Sequence, residues 1–179
     1  MLVIFTVDTQ TMITGKQRFF DKNQIIVSKT DLMGKITYVN DVFCEVSGYS
    51  EKESLGKPQS IVRHPQMPRC VFKLLWDTIS SGQEIFAYVN NLAKNGDNYW
   101  VFAHVTPSFN NDGKIIGYHS SRRSPNPKAI ETISPLYSAL LAEEEKHKNR
   151  KDGMLAAYDM LNKILTSKGI GYDAFVFSL

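Results

Sequence analysis

An α+β fold, with helices packed on one face of an antiparallel sheet, is the class this sequence predicts. Three observations predict it. Two β-branched runs, at 24–30 and 35–39, flank the turn-like Asp31-Leu32-Met33-Gly34. An Asn95-Gly96 pair separates two longer β-rich runs, at 84–92 and 99–107. Between these two groups lie short segments with helical caps and helical periodicity. Strands, then short helices, then strands again, joined by tight turns, is the order of an antiparallel sheet covered on one side.

The elements follow in order. Ile25, Ile26, Val27 and Thr30 face Ile36, Thr37 and Val39 across the first turn, a strand pairing that β-branched residues favour. Asn40-Asp41 then caps a short helix that carries Phe43 and Val46 and stops at Gly48. Ser50 and Glu53 have the spacing of a capping box and open one more helical turn. Residues 70–80 read as a helix: Val71, Leu74, Leu75 and Thr78 lie on one stripe, Phe72, Trp76 and Ile79 on the next, and Gly82 ends it. After the Asn-Gly hairpin, Asn111-Asp112-Gly113 turns the chain into a last strand at 114–122.

Pro125 and Pro127 end the strand pattern. Beyond them Ile133, Leu136, Tyr137, Leu140 and Leu141 recur at helical spacing, and Leu155, Tyr158, Leu161 and Leu165 line one side of a second helix that Gly169 and Gly171 terminate. Helices of this length are marginal alone. They need the sheet, a second copy or another protein to pack on, and contact with a partner or a second copy is the favoured expectation. The apolar tail at 172–179 has no assigned element. The chain therefore divides into an N-terminal cap at 1–22, a sheet domain at 23–124 and a helical extension at 125–179. Met1 to Thr6 is apolar but lacks the basic flank and cleavage site of a secretory signal, so a strand or capping segment is the expectation there.

Composition narrows the function. With 42% apolar and 22% charged residues the chain has the make-up of a soluble globular protein. A net charge of +3, without a concentrated basic stripe, argues against nucleic-acid binding. Cys44 and Cys70 fit neither a metal spacing nor a disulfide framework, and no apolar run reaches the length of a membrane span. A cytoplasmic location is the expectation. No nucleophile with a base, no paired carboxylates and no Gly-rich phosphate loop are visible, so an enzyme is not expected.

The strongest chemical signal is Val62-Arg63-His64-Pro65-Gln66-Met67-Pro68, with Trp76 eight positions on. Two prolines stiffen a corner that holds a guanidinium, an imidazole and an amide. An Arg beside a His suits anionic or planar ligands, because the guanidinium fork pairs with phosphate and both groups stack.

With Thr37-Tyr38-Val39-Asn40-Asp41, Ser47-Gly48-Tyr49-Ser50, Gly56-Lys57-Pro58, Lys94-Asn95-Gly96-Asp97 and Tyr99-Trp100, residues 24–123 resemble a PAS domain. The resemblance implies the PAS fold, a five-stranded antiparallel sheet with short helices on one face, here followed by C-terminal α-helices. The proline corner with Trp76, and Pro135-Leu136-Tyr137 after the domain, most resemble the bacterial aerotaxis receptors, whose PAS fold holds FAD and reports its redox state. Without the receptors' membrane anchor and signalling coiled coil, the chain is similar to the small soluble PAS proteins of bipartite energy-taxis systems. Those act on a separate membrane receptor of the methyl-accepting chemotaxis type.

The resemblance implies a set of FAD-binding residues. Arg63 would hold the pyrophosphate and His64 the ring or ribose. Phe72 and Trp76 match aromatic residues beside the flavin, and Asn40 and Asn91 match pocket amides. Gln66 stands where the receptors have an acidic residue, and Ile85 where they have a Trp, with Phe86 adjacent. The implied function is a cytoplasmic redox, energy or oxygen sensor in aerotaxis, at the periphery of the inner membrane through its receptor. The alternative is a haem-binding PAS module, with His104 or His119 as ligand, or a cofactor-free one that mediates homodimerisation.

Overall fold

In a computed structural model, residues 12–179 are described. The expectation for Met1 to Thr6 lies outside them. Five strands, β1 (Ile26–Thr30), β2 (Ile36–Val39), β3 (Ile85–Leu92), β4 (Asn98–Phe109) and β5 (Ile115–Arg123), form one antiparallel sheet in the order β2-β1-β5-β4-β3. Helices α1 (Asp41–Ser47) and α2 (Glu51–Ser54), a 3-10 turn (Gln59–Val62) and α3 (Arg69–Ser80) fill the connection between β2 and β3. They cover one face of the sheet. The architecture is the one the sequence predicts.

Asn40 shows how local chemistry fixes the entry to this layer. Its Oδ1 accepts from the backbone N–H of Phe43, capping α1, and from that of Val27 on β1, while Nδ2 donates to the Ile25 carbonyl. One amide thus ties the helix start to the sheet. Gly48 ends α1 in the left-handed region at φ 76°, a conformation a Cβ disfavours. Ser50 and Glu53 form the full capping box of α2.

Alternation sorts the strands into two faces. Ile26 and Ser28, Ile85, Ala87, Val89 and Asn91, Tyr99, Val101, Ala103 and Val105, and Tyr118, Ser120 and Arg122 turn inward and are buried. Phe86, Tyr88, Trp100, Phe102, His104 and His119 belong to the outer face. The inner layer splits into two apolar clusters. The larger includes Ile26, Phe43, Val71, Val101 and Ala103, and the smaller is Ile79, Ile85, Val105 and Tyr118.

Of the helices α4 (Pro127–Glu145), α5 (Arg150–Lys168) and α6 (Tyr172–Phe177), α4 and α6 fold back on the chain's own sheet, and α5 packs on α4 and α3. Tyr137 donates to the Tyr88 carbonyl at 2.8 Å and stacks near Trp100, and Phe177 lies 4.7 Å from the Phe86 ring. The outer aromatics beside the β3 edge are thereby covered, so of the three surfaces expected for the helical pair α4–α5, a helical hairpin, the chain's own sheet is one it uses. Its inward ridge also differs from the expected one: Gly153, Ala157, Leu161 and Leu165 face in, with Met154, while Leu155 is exposed. A pattern of large apolar residues misses a helix that approaches through small ones. A Cβ on Gly153 would collide with the backbone carbonyl of Glu144. The apolar tail becomes α6, which the sequence left unassigned.

At the other end, residues 12–20 run along the β3–β4 turn. Thr14 N–H donates to the Gly96 carbonyl at 2.9 Å, Gln17 pairs with Asn98, and the Arg18 guanidinium meets Asp97 at 3.0 Å.

Candidate functional site

The proline corner is joined to the sheet through its backbone. Arg63 forms an isolated antiparallel bridge with Asn91 of β3, and the turn closes by a bond from the Met67 N–H to the His64 carbonyl at 3.0 Å. Arg63 lies with its guanidinium 4.2 Å over the Phe72 ring and donates to the Met67 carbonyl at 3.1 Å. Burial lowers its pKa to about 10, against the opposing pull of Glu144, so the group stays a cation at neutral pH. His64 is buried at 3% exposure, and its Nδ1 accepts from the Gln66 N–H at 3.2 Å. That bond leaves the proton of a neutral ring on Nε2, and burial lowers the pKa.

The structure brings together Arg63, His64, Phe72 and, through the backbone bridge, Asn91, which is buried at an inward register of β3. Trp76 is one turn further along α3. Its ring meets Tyr118 edge-on at 5.4 Å and packs so close to Gly34 that a Cβ there would come within 3.0 Å. Two residues stand apart. Asn40 has both ends of its amide committed to capping α1 and joining β1, and Gln66 is exposed at the tip of the corner, which it serves through its backbone N–H.

Sequence reasoning missed a second group, deeper inside. Arg122 Nη2 donates to Ser28 Oγ at 2.9 Å, and that hydroxyl donates to Gln59 Oε1 at 2.9 Å. Ser120 is paired with Ser28 across the β1–β5 ladder. The Nε2 of Gln59 and the Oγ of Ser120 are buried without a hydrogen-bond partner among the described residues. Arg122 is 6% exposed and forms no ion pair among the described residues; burial lowers its pKa to about 10, opposed by Tyr99. These residues sit where the two apolar clusters meet, between Ile26 and Ala103 on one side and Val105 and Tyr118 on the other. The signal was available: Ser28, Ser120 and Arg122 occupy strand positions in phase with the inward apolar residues.

His104 and His119 lie on the outer face of the sheet, away from this interior. His104 stacks on Phe86 at 4.2 Å and meets Glu84 at 2.7 Å, and His119 has its pKa lowered by burial and then by Lys29. Neither is placed to ligate a haem held between the sheet and α3.

The corner also connects to the C-terminal helices. Pro68 at the start of α3 offers no capping side chain. Glu144, from the last turn of α4, supplies one: its buried Oε1 accepts from the Cys70 N–H at 2.8 Å, and Oε2 lies 3.7 Å from Arg69 Nε. Burial and the adjacent Glu144 carboxylate push the Cys70 thiol up to about 12.

With this geometry in place, similarity to known proteins gives the family. The family model described as PAS fold matches residues 36–122. The aerotaxis receptor of Escherichia coli (strain K12) is 40% identical over 139 residues, which is 78% of this chain and 27% of the receptor. The nitrogen fixation regulatory protein of Klebsiella pneumoniae is 29% identical over 103 residues, 58% of this chain and 21% of that protein. The chain thus spans about a quarter of the length of these relatives. Among solved structures, the PAS domain of a Colwellia psychrerythraea protein superposes with a TM-score of 0.53 at 19% identity, over 56% of this chain and 86% of that one. No helix among the described residues is long and apolar enough to cross a membrane. Sheet order, helix layer and sequence similarity agree: the chain carries a PAS domain.

Proposed function

We propose that this PAS domain binds FAD between its sheet and α3 and signals the redox state of the cell, linked to oxygen, to a methyl-accepting chemotaxis-type receptor. The observation that carries this reading is the donor-rich interior. Arg122, Ser120 and Gln59 present N–H and O–H groups whose neighbouring acceptors, Ser28 Oγ and Gln59 Oε1, are already used. Buried donors without acceptors are costly, and the carbonyl and ring-nitrogen edge of a flavin supplies acceptors. The flanking apolar clusters suit a planar aromatic ring. The residues present therefore fit the group that the resemblance to aerotaxis receptors implies.

In this reading Arg63 and His64 hold the polar arm of the cofactor at the mouth, and Asn91 and the Arg122 group orient the ring. Phe72 backs the Arg63 guanidinium rather than the ring itself. Bound flavin would supply reversible electron uptake. Asn91 and His64 respond to the changed hydrogen-bonding demand, and the response has a short route outward. Asn91 is bridged to Arg63, Arg63 stacks on Phe72 of α3, and the first turn of α3 is capped by Glu144 of α4. A shift at the corner therefore biases how the C-terminal helices dock. The role is sensing in the cytoplasm without turnover, and homodimerisation through the helices is compatible with it.

The test is direct. Purified protein should be yellow, and extraction should release FAD rather than FMN. Colourless protein that takes up no FAD on incubation rejects the reading, and a red, Soret-absorbing preparation replaces it with haem.

A further inference from the structure

We infer that Arg122 is the residue that sets the charge this interior favours in its ligand, and that it raises the reduction potential of the bound ring. The inference rests on the flavin reading above and adds a role for one residue.

Among the described residues Arg63 and Arg122 both approach the interior, and they differ in compensation. Arg63 has the Phe72 face against it, the Met67 carbonyl within reach and the buried carboxylate of Glu144 as an opposing charge nearby. Arg122 has none of these. One of its five N–H groups meets a serine hydroxyl, no carboxylate among the described residues pairs with it, and it is held on the inner face of the central strand pair β1–β5. A buried guanidinium without a counter-ion is unfavourable in the empty fold. It favours any bound group that carries negative charge or acquires it.

The surroundings point the same way. Ser28 cannot neutralise Arg122 and has already donated its hydrogen to Gln59. The free atoms beside it, Gln59 Nε2 and Ser120 Oγ, offer hydrogens. The site therefore takes a planar, acceptor-rich ligand and stabilises it further when it becomes anionic. Two-electron reduction of a flavin at neutral pH takes up two electrons and one proton, leaving a net negative charge on the ring; dithionite is the donor in the experiment below. Charge interacts over distance, so the effect does not depend on which edge of the ring faces Arg122. A residue that merely fastened β5 to β1 would alter stability and leave the potential alone.

The experiment compares full-length wild type, Arg122→Lys and Arg122→Met, each loaded with FAD and titrated with dithionite against redox dyes. The Met variant is expected at a distinctly lower potential, with the Lys variant close to wild type. Gln59→Glu, which leaves Arg122 in place and puts a carboxylate beside Ser28, is expected to lower the potential as well and serves if the Met variant does not fold. A yellow Met variant at the wild-type potential, equal shifts in Lys and Met, or an unmoved Gln59→Glu would each overturn the role of Arg122. A wild type that binds no FAD overturns the flavin reading itself, and the inference with it.

Discussion

The carboxylate of Glu144, in the last turn of α4, accepts a hydrogen bond from the backbone N–H of Cys70 in the first turn of α3, at 2.8 Å. The two residues are 74 positions apart, and the bond replaces the cap that Pro68 cannot provide. It makes the helix that follows the proline corner depend on the C-terminal hairpin for its N-terminus. Removing the side chain leaves a buried N–H without a partner and a hole between the helices. Glu144→Ala is expected to lower stability by about 2–4 kcal/mol and Glu144→Gln, which keeps an acceptor, by less. Urea denaturation measures both. An alanine variant as stable as wild type would show that the bond contributes nothing.

The same contact makes Cys70 a reporter. Its thiol is fully buried and held at about 12, far above the range in which thiolates form at neutral pH. Cys44, only partly buried, is raised less. At pH 8, iodoacetamide should modify Cys44 well before Cys70, and Glu144→Ala should speed the reaction of Cys70 selectively. Equal rates at the two cysteines in the wild type would mean that the hairpin does not cover the start of α3.

Gly153 should tolerate no side chain. Gly153→Ala drives a Cβ into the Glu144 backbone and is expected to cost about 1–3 kcal/mol. Gly171→Ala, with no atom near its Cβ position, should stay within about 0.5 kcal/mol of wild type. Thermal melts of the pair separate a steric effect from the general cost of replacing glycine.

The N-terminal strap carries an acid-sensitive anchor. Thr14, Asn95 and Arg18 hold the Asp97 carboxyl down to about 2. A depressed folded-state pKa adds stability that is present above the ordinary aspartate value and lost as pH falls through about 2. Protection of the Thr14 and Arg18 amides, relative to their intrinsic exchange rates, should therefore fall over that acid range, and Asp97→Asn should remove that loss of protection. Unchanged protection down to the acid limit would show that the carboxylate does not hold residues 12–20 in place.

Much of this was legible in the sequence, and the reasons are specific. The Asn95-Gly96 turn, the Asn40 and Ser50 caps and the β-branched runs are local signals, and local signals gave the sheet and the helix layer. The corner was legible because prolines, Arg63 and His64 are adjacent in the chain. For Ser28, Ser120 and Arg122 the inward strand phase was legible, but their meeting with Gln59 was not, since these residues come together only when β1 and β5 pair and the 3-10 turn closes over them. The assigned role of Asn40 shows the opposite limit: a motif match named it a pocket residue, whereas its hydrogen bonds are spent on the α1 cap and β1. The hairpin's inward ridge was missed because Gly153 and Ala157 pack by absence of bulk, which an apolar pattern does not register.

If a flavin occupies the donor-rich interior, as proposed, the absorption spectrum of purified wild-type protein, recorded before and after dithionite, reveals it. Oxidised-flavin bands that bleach on reduction and return in air are the predicted result, with Asn40→Ala retaining them per folded molecule and Asn91→Ala losing them. A colourless protein that stays colourless after incubation with FAD would mean that this interior holds no flavin.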